Sequence, residues 1–423
     1  MKTNSKSDIA FLWDESFLWG LMAYKALKSN GLPFELIRSD DIKNGHLKNY
    51  RMLFVPGGWA LNKLKTLGDK GISEIKRFVN NGGNYLGFCG GAGLATLDGI
   101  GLLDIKRMPT KQRVPSFSGR IHLNTNEHPI WNSSLHHSIT TSTVFHAWWP
   151  SQFLVDDKNI EILATYGDAL PDSFSSDLNI GDVENNGGWS ELEEIYKINL
   201  NPQRLKDAPS VVEGSYGKGK VILSLIHFDT PDDTNGETVL KNLWEYLTGQ
   251  NTEHRRQNTD KDHNYFTMDS KIMSLSSELC LLTSDLINLG ARNFLWFWRN
   301  PILLLWRRGV RGLEYNTLYV MIREIAEILK RNTEHGIENT DKDLKEIREL
   351  LMSFVEKAKR LLVLERYAMQ NGHITYEKCN DPEIQNIRTE LFSGSKRHGG
   401  MFKELIEKVD NLLFSLLKPR ERL

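Results

Sequence analysis

The spacing of hydrophobic and polar positions divides the chain into two parts. In the first part, short apolar runs alternate with longer segments that are apolar at helical spacing, which predicts a parallel sheet covered by helices. The predicted strands lie at 9–13, 34–38, 52–55, 84–89, 121–123, 144–147, 162–166, 210–216 and 220–226. A stretch rich in Asp, Ser, Asn and Gly, residues 168–190, predicts a surface loop.

The second part is helical in character. Residues 251–270 are polar without an apolar period, which predicts a linker between an α/β domain at 1–250 and a second domain at 271–423. In the second domain, three long segments keep apolar residues at helical spacing, and a fourth helix is predicted over 271–289. We therefore expect an all-α helical bundle to follow the α/β domain.

Residues 84–94, Asn-Tyr-Leu-Gly-Phe-Cys-Gly-Gly-Ala-Gly-Leu, predict a buried strand that turns at once into a helix. Glycines at positions such as Gly90 and Gly91 permit a tighter turn than residues with a Cβ allow. Cys89 stands at the apex, where a sharp strand-to-helix turn exposes a nucleophile and the helix start favours its thiolate form. The alternative is a turn softened by glycine around a buried, unreactive cysteine.

A thiol nucleophile requires a base, and His227 is the histidine whose context fits. It comes at the end of an apolar strand, as Cys89 does, and Asp229 lies two residues further on. In an extended segment both side chains project to the same side, so the carboxylate can hold the imidazole in the tautomer that accepts the thiol proton. The alternative is a surface His-Phe-Asp at the start of a loop.

Acyl transfer also requires donors for the oxyanion. The backbone amide of Gly90, directly after the candidate nucleophile, is one candidate donor. The Gly57-Gly58 pair, which follows another predicted strand, is the second, because glycine lets backbone amides approach a site closely. The alternative is that Pro56-Gly57-Gly58 forms an ordinary β-turn.

Composition narrows the class of protein. Charged residues make up 25% and hydrophobic residues 40% of the chain, with a formal net charge of −1, so we expect no general affinity for nucleic acid. Three widely spaced cysteines, no signal-peptide apolar region and no long apolar run predict a cytoplasmic protein without a transmembrane span. Four histidines that could be metal ligands are better explained as loop residues, and we expect neither a metal nor another cofactor. They are His128, His136, His137 and His146.

Two aromatic segments leave alternatives open. The segment 146–150, His-Ala-Trp-Trp-Pro, could line a cleft or plug the sheet, and the plug is preferred. The segment 291–311 combines five arginines and three tryptophans with no acidic residue. It could lie on an anionic membrane surface, dock a protein partner or stack on nucleic acid, or it could be a bundle helix broken at Pro301 with buried tryptophans.

Three segments together resemble the class I glutamine-amidotransferase-like superfamily, and more narrowly the N-terminal domain of biotin-protein ligases and its stand-alone bacterial relatives. They are Val-Pro-Gly-Gly at 55–58, Gly-Gly-Asn-Tyr-Leu-Gly-Phe-Cys-Gly-Gly at 82–91 and Gly-Lys-Gly-Lys-Val-Ile-Leu-Ser-Leu-Ile-His at 217–227. The match covers roughly residues 7–248 and implies a flavodoxin-like three-layer α/β/α sandwich.

The resemblance also implies roles for individual residues. Cys89 would attack a glutamine-type amide, His227 would act as base, and Asp229 would orient the histidine. The chain departs from the family pattern because Asp229 replaces the usual glutamate and Phe228 the usual proline. We find no synthase domain that would receive ammonia.

The sequence thus predicts a cysteine-dependent amidohydrolase or amidotransferase-like protein that acts on a small-molecule carboxamide or similar substrate. The alternative is a non-catalytic member of the fold that binds a small molecule, while its helical domain docks a partner or a membrane surface. Residues 251–423 lack the adenylate loop and the Lys-Trp-Pro-Asn motif of biotin ligases, so biotin transfer is not predicted.

Overall fold

The computed structural model of the protein describes residues 8–132, 143–249, 270–331, 340–372, 374–375, 379–394 and 398–418. The chain forms two compact units, Met1–Asn258 and Thr259–Leu423. The predicted linker lies outside the described residues except at Ser270, where the first helix of the second unit begins.

The first unit combines one large sheet with helices. Its strands are β1 Ile9–Leu12, β2 Glu35–Ile37, β3 Met52–Val55, β4 Asn84–Phe88, β5 Lys106–Arg107, β6 Phe117–Thr125, β7 Val144–Trp148, β8 Phe153–Leu154, β9 Glu161–Ala169, β10 Phe174–Ser175, β11 Leu178–Asn179, β12 Pro209–Tyr216 and β13 Gly219–Ser224. Its α-helices are α1 Phe17–Ser29, α2 Ser39–Lys43, α3 Ala60–Asn80, α4 Gly90–Ala95, α5 Ile180–Asn186, α6 Trp189–Tyr196 and α7 Thr234–Thr248. Short 3₁₀ helices lie at His46–Asn49, Thr110–Gln112 and Pro202–Leu205.

The sheet has a parallel half and an antiparallel half. Its strand order is β11-β10-β6-β9-β12-β13-β4-β3-β1-β2, with β7 paired to β6. The pairings from β13 through β4, β3 and β1 to β2 are parallel, while those from β13 to β11 are antiparallel. The short strands β5 and β8 form a separate antiparallel pair. The predicted α/β fold is confirmed. The parallel strands β13, β4, β3, β1 and β2 form its core.

The stretch at 168–190 differs from its prediction. Instead of a loop, it contains the end of β9, the strands β10 and β11, helix α5 and the start of α6. Ser175 and Ile180 are fully buried, and the Asn179 side chain caps α5 by accepting a hydrogen bond from the amide of Asp182. The polar residues that predicted a loop serve here as caps and strand ends, which is why composition alone misplaced this segment.

The described residues of the second unit form five helices and one hairpin. Its elements are α8 Ser270–Arg292, β14 Trp296–Asn300, β15 Leu303–Trp306, α9 Gly312–Arg331, α10 Thr340–Ala368, α11 Pro382–Phe392 and α12 Gly400–Leu417. The apolar positions predicted at helical spacing are buried in α9, α10 and α12. The predicted C-terminal helical region is therefore confirmed.

The segment 291–311 is not the broken helix that was one of its predicted alternatives. It contains the antiparallel hairpin β14–β15, in which Trp296 pairs with Trp306. The Asn300 side chain accepts hydrogen bonds from the amides of Ile302 and Leu303, which fixes a turn around Pro301. Asparagine before proline favours such a turn, and this local preference outweighs the helical character of the surrounding sequence.

One described helix, α8, is long and apolar enough to cross a membrane by length and composition alone. Only 28% of its most apolar window is buried. Within its unit, α8 packs against α9 and α10.

Candidate active site

Three neighbouring parallel strands of the first unit end side by side. Val55 of β3 lies opposite Gly87 of β4, and Phe88 of β4 lies opposite Ser224 of β13. The amide of Cys89 extends this pairing by donating a hydrogen bond of 2.8 Å to the carbonyl oxygen of Ser224. The segments that follow the three strands therefore leave the sheet at one edge, where α/β folds place their ligand sites.

Cys89 occupies the sharp turn between β4 and α4. Its backbone has φ +47° and ψ −103°, a strained conformation for a residue with a side chain, and the residue is half-buried. The Gly93 amide donates a hydrogen bond of 2.9 Å to the Cys89 carbonyl oxygen and closes the first turn of α4. A strained residue held by bonds on both sides, with a partly accessible thiol, is typical of a nucleophile at a strand-to-helix turn.

The glycine loops pack directly against each other. A Cβ added at Gly90 would lie 1.9 Å from the carbonyl oxygen of Gly58, and Gly58 itself has φ +119°. A Cβ added at Gly57 would lie 3.2 Å from Cε1 of His227. Backbone atoms leave no room for a Cβ at Gly58 or Gly90, and all three candidate oxyanion donors lie directly after the ends of β3 and β4. Their amides donate no hydrogen bond to any other residue in the described part of the chain.

His227 and Asp229 form a hydrogen-bonded pair. The imidazole Nδ1 lies 2.9 Å from Oδ1 of Asp229, and both side chains are fully buried. The sequence predicts that the two side chains project from one side of an extended segment. In the structure, β13 ends at Ser224 and residues 227–230 form a turn instead. In this turn the carbonyl oxygen of His227 accepts hydrogen bonds from the amide and the hydroxyl of Thr230.

Phe228 anchors this turn in the core. Its side chain is fully buried and packs edge-on against Phe88, Trp131 and Phe145, with ring centroids 5.2–5.9 Å apart. From the sequence, Phe228 is only a departure from the family pattern. Its burial means that the His227 and Asp229 backbone is fixed by packing rather than by a proline ring.

The electrostatics of His227 depend on its two neighbours. Burial lowers the pKa of the imidazole, but the Asp229 carboxylate, and then the Cys89 thiol, outweigh this effect and raise the pKa of His227 to about 10. Nε2, the nitrogen not facing Asp229, is buried and has no hydrogen-bond partner among the described residues other than its interaction with Cys89. The histidine is therefore poised to carry a positive charge beside Cys89.

Aromatic residues cover the histidine. The Trp19 ring lies 5.0 Å from the His227 ring and 5.8 Å from Trp149, which is half-buried with φ +49°. The neighbouring Trp148 is buried and donates a hydrogen bond of 3.0 Å to the Thr230 hydroxyl. The segment 146–150 thus combines its two predicted alternatives. Trp148 is buried in the interior, and Trp149 lies near the site through its contact with Trp19.

The histidines weighed as metal ligands are separately paired. His128 lies 3.3 Å from Glu213, and His146 lies 2.7 Å from Asp233. Within the described ranges, no group of three or more metal-ligating side chains is present. His136 and His137 lie outside the described residues.

Comparison with known proteins supports the resemblance. Residues 40–98 match the family model described as "Biotin-protein ligase, N terminal", a segment that contains Gly57, Gly58, Cys89 and Gly90. Comparison with curated proteins gives no match.

Similar solved structures cover a little over half of the chain. A glutamine amidotransferase is 19% identical, covers 58% of this chain and 100% of its own, and has a TM-score of 0.36. A putative GMP synthase protein from Thermoplasma acidophilum is 10% identical, with 58% and 96% covered and a TM-score of 0.37. A β-galactosidase from Bacillus circulans sp. alkalophilus is 13% identical, with 57% and 31% covered and a TM-score of 0.35.

These TM-scores lie below 0.5, so the fold assignment depends on the chain's own strand order and on the sequence match. The parallel core, the strand-to-helix turn at Cys89 and the match over residues 40–98 agree with one another. Residues 40–98 are therefore similar to the biotin-protein ligase N-terminal family, and they lie within an α/β fold.

Proposed function

We propose that this protein is a cysteine-dependent amidohydrolase that acts on a small carboxamide or similar acyl substrate. The observation that supports this proposal is a half-buried Cys89 on a strained turn, next to a fully buried His227–Asp229 pair. The second ring nitrogen of His227 has no hydrogen-bond partner among the described residues other than its interaction with Cys89. Cys89 is the nucleophile, His227 the base and Asp229 the group that orients it. The expected location is cytoplasmic.

The reaction follows from the protonation of this pair. The Cys89 thiolate attacks the carbonyl carbon, so the S–C bond forms and the carbonyl electrons move to oxygen. Collapse breaks the C–N bond, and the nitrogen leaves as ammonia with a proton from the His227 imidazolium. Water then attacks the thioester while His227 takes its proton, and the S–C bond breaks to release a carboxylic acid and restore the thiolate.

The glycine loops supply the electrostatic part of the mechanism. Negative charge develops on the carbonyl oxygen in each tetrahedral intermediate, and preorganised backbone amides stabilise it. The unpaired amides of Gly57, Gly58 and Gly90 are the proposed donors. A side chain at Gly90 would collide with the Gly58 carbonyl, so this arrangement depends on glycine.

Selective alkylation tests the proposal. At pH 6, iodoacetamide is expected to label Cys89 at least about tenfold faster than Cys280 or Cys379, because a thiolate reacts and a thiol does not. Burial raises the pKa of the Cys280 thiol, so this cysteine serves as an internal control. Mass spectrometry of tryptic peptides after timed labelling gives the three rates. Equal rates at all three cysteines would contradict the proposal, and a Cys89→Ser protein with full cellular function would favour a non-catalytic role.

A second candidate function concerns the hairpin of the second unit. We propose that it lies on an anionic membrane surface. On strand β14, Phe297 is 50% exposed and Trp298 is 40% exposed. Phe294, which lies just before this strand, is 76% exposed. The cations Arg292, Arg299, Arg307 and Arg308 flank these rings. Exposed aromatic rings next to arginines favour the interface of an anionic bilayer.

Co-sedimentation of the full chain with vesicles tests this second candidate. Vesicles that contain phosphatidylserine should bind the protein, and vesicles of phosphatidylcholine alone should bind it less, because the arginines require anionic lipid. The double variant Phe297→Ser, Trp298→Ser should reduce the bound fraction several-fold, whereas Tyr367→Ser, which alters an exposed ring on α10, should not. Equal binding by all three proteins would exclude the hairpin as the docking surface.

A further inference from the structure

A buried lysine that the proposed mechanism does not use lies near the Gly57–Gly58 loop. Lys63 is at the start of α3, the helix that begins shortly after this loop, and its side chain is only 1% exposed. A buried ammonium group loses its hydration, so hydrogen bonds within the protein must replace the water. The burial of Lys63 therefore requires a local reason that the exposed Lys65 of the same helix does not.

The partners of Lys63 lie in the β1–α1 turn, residues 13–16. The Nζ of Lys63 donates a hydrogen bond of 2.8 Å to the carbonyl oxygen of Asp14 and another hydrogen bond to the hydroxyl of Ser16. Ser16 is fully buried, and its hydroxyl lies 3.3 Å from the same Asp14 carbonyl oxygen. The ammonium group therefore fastens the β1–α1 turn to the start of α3.

The β1–α1 turn is strained at the place where α3 holds it. Glu15 has φ +56° and Phe17 has φ +46°, so the residues on both sides of Ser16 adopt the left-handed region that side chains disfavour. The side-chain amide of Asn62, also in α3, donates a hydrogen bond of 3.0 Å to Oε2 of Glu15. Strained backbone persists only where surrounding contacts impose it, and it clusters at functional sites. The hydrogen bonds from α3 are contacts of this kind.

The Gly57–Gly58 loop packs directly against the strained turn. A Cβ added at Gly58 would lie 2.2 Å from the carbonyl oxygen of Glu15 and 3.1 Å from Cα of Ser16. A Cβ added at Gly57 would lie 3.0 Å from Cβ of Trp19, in the first turn of α1. Because the backbones are in contact, a shift of the β1–α1 turn would displace the amides that are proposed as oxyanion donors.

Helix α3 is not continuous, so the rest of the helix does not fix the loop. Gly68 has φ +58° and ψ −178°, and this non-helical residue separates residues 60–67 from residues 69–80. A break of this kind interrupts the rigid helical backbone. The position of the loop therefore depends on the contacts of the first segment, and the hydrogen bonds of Lys63 are among them.

We propose that Lys63 is a positioning residue of the oxyanion site, which holds the β1–α1 turn against Gly58 and thereby keeps the amides of Gly57 and Gly58 in place. This inference rests on the proposed amidohydrolase function and assigns part of its rate to a residue that acts through the turn. Oxyanion donors stabilise charge because they are fixed before it develops, so displaced amides slow acyl transfer without changing the nucleophile.

Two reagents that modify Cys89 by different reactions test the inference on the full chain. With p-nitrophenyl acetate, the thiolate attacks the carbonyl carbon, the S–C bond forms and the carbonyl electrons move to oxygen. Collapse then breaks the C–O bond, and p-nitrophenolate leaves with its electrons. With iodoacetamide, the S–C bond forms at a methylene carbon while iodide leaves with the C–I electrons, and no oxyanion develops. The ratio of acylation rate to alkylation rate at Cys89 therefore measures oxyanion stabilisation separately from thiol activation.

Lys63→Met is expected to lower this ratio about tenfold, which is less than the roughly 100-fold loss that follows removal of an oxyanion donor. Lys65→Met removes an exposed lysine from the same helix and should leave the ratio within about twofold, because a surface charge is screened. Acylation is followed by release of p-nitrophenolate, with Cys89→Ser as the baseline. Alkylation is followed by mass spectrometry of the Cys89 peptide. An equal loss in both lysine variants overturns the inference.

A purely structural role of Lys63 predicts a different result. A general loosening of the first unit would slow both reactions by the same factor, and an unchanged ratio in Lys63→Met overturns the inference. Ser16→Ala keeps the buried lysine and removes one of its acceptors, so it should lower the ratio at least about threefold. If Lys63→Met does not fold, Ser16→Ala decides alone, and an unchanged ratio in this variant overturns the inference.

The design separates this inference from the proposed function. The iodoacetamide rate of the wild type reports whether Cys89 is activated, so labelling no faster than at Cys280 and Cys379 contradicts the amidohydrolase proposal. Fast iodoacetamide labelling with an unaltered ratio in Lys63→Met and Ser16→Ala contradicts only the positioning role of Lys63.

Discussion

Replacing His227 with glutamine is expected to slow the alkylation of Cys89 by iodoacetamide at pH 6 by about 100-fold, because a cysteine without an imidazolium neighbour is almost entirely thiol at this pH. In the wild type, Asp229 holds Nδ1 at 2.9 Å and supports the positive charge of the ring. Glutamine keeps a similar volume but carries no charge.

The pH dependence provides the control for this experiment. The pKa of His227 is raised to about 10, so its positive charge persists through neutral pH. The ratio of the wild-type rate to the His227→Gln rate should therefore be largest near pH 6 and should fall as the pH rises towards 10, where the imidazolium loses its charge. Asp229→Asn keeps the shape of the pair without its charge and should give an intermediate rate. A His227→Gln protein that is folded and reacts as fast as the wild type would contradict the assignment of His227.

The His227–Asp229 pair also makes the stability of the folded protein depend on pH. Because the pKa of His227 is higher in the folded protein than the ordinary value of 6.5, its contribution to stability is complete below pH 6.5. The contribution is lost as the pH rises from 6.5 towards 10. A thermal melt that shows the first unit gaining stability over this interval would disagree with the raised pKa.

The edge of the sheet that holds the site could be predicted because each part follows a short-range pattern. The turn at Cys89 depends on neighbouring glycines, and the segments before Gly57 and before His227 consist mostly of apolar residues. Parallel strands bring their carboxyl ends to one edge, so three local predictions combine into one site. The structure agrees in the register of Phe88 with Ser224 and of Val55 with Gly87.

Other features depend on contacts that no local pattern encodes. Phe228 is a core residue only because Phe88, Trp131 and Phe145 surround it. The burial of Lys63 depends on its hydrogen bond to Ser16, which is 47 residues away in the sequence. The local sequence shows only a pair of nearby lysines at positions 63 and 65, which by itself is more typical of a solvated surface. Long-range contacts between single side chains are the part that sequence reasoning missed.

Replacing Arg388 with methionine is expected to destabilise the helical unit by about 3–5 kcal/mol, because it leaves a buried carboxyl without its partner. Arg388 is 4% exposed, and its Nε donates a hydrogen bond of 2.8 Å to Oε1 of the fully buried Glu365. Its Nη2 also donates to the Gly309 carbonyl oxygen at 2.8 Å. The arginine therefore joins α10 and α11 to the loop after β15. The methionine substitution removes all of these hydrogen-bond donors at once.

Two further variants separate the charge from the packing. Glu365→Gln keeps the shape and removes the charge, so it should cost less than Arg388→Met. The double variant Arg388→Met, Glu365→Leu should recover much of the loss, because apolar residues of similar volume can replace a buried ion pair at little cost. Hydrogen–deuterium exchange of α10 and α11 peptides in the full chain is the suitable measurement, since a protein of two units need not unfold in one step.

The pH dependence of this effect follows from Glu365. Burial raises its pKa to about 7, while Arg388 and then Arg311 act to lower it. Because the folded pKa is above the ordinary value of 4.5, the carboxyl's contribution to stability is complete below pH 4.5 and is lost as the pH rises towards 7. The cost of Arg388→Met should therefore be larger at pH 8, where an unpaired carboxylate must be buried, than at pH 5, where Glu365 is protonated. Equal exchange rates for wild type and variant at pH 8 would contradict a stabilising role for the Arg388–Glu365 pair.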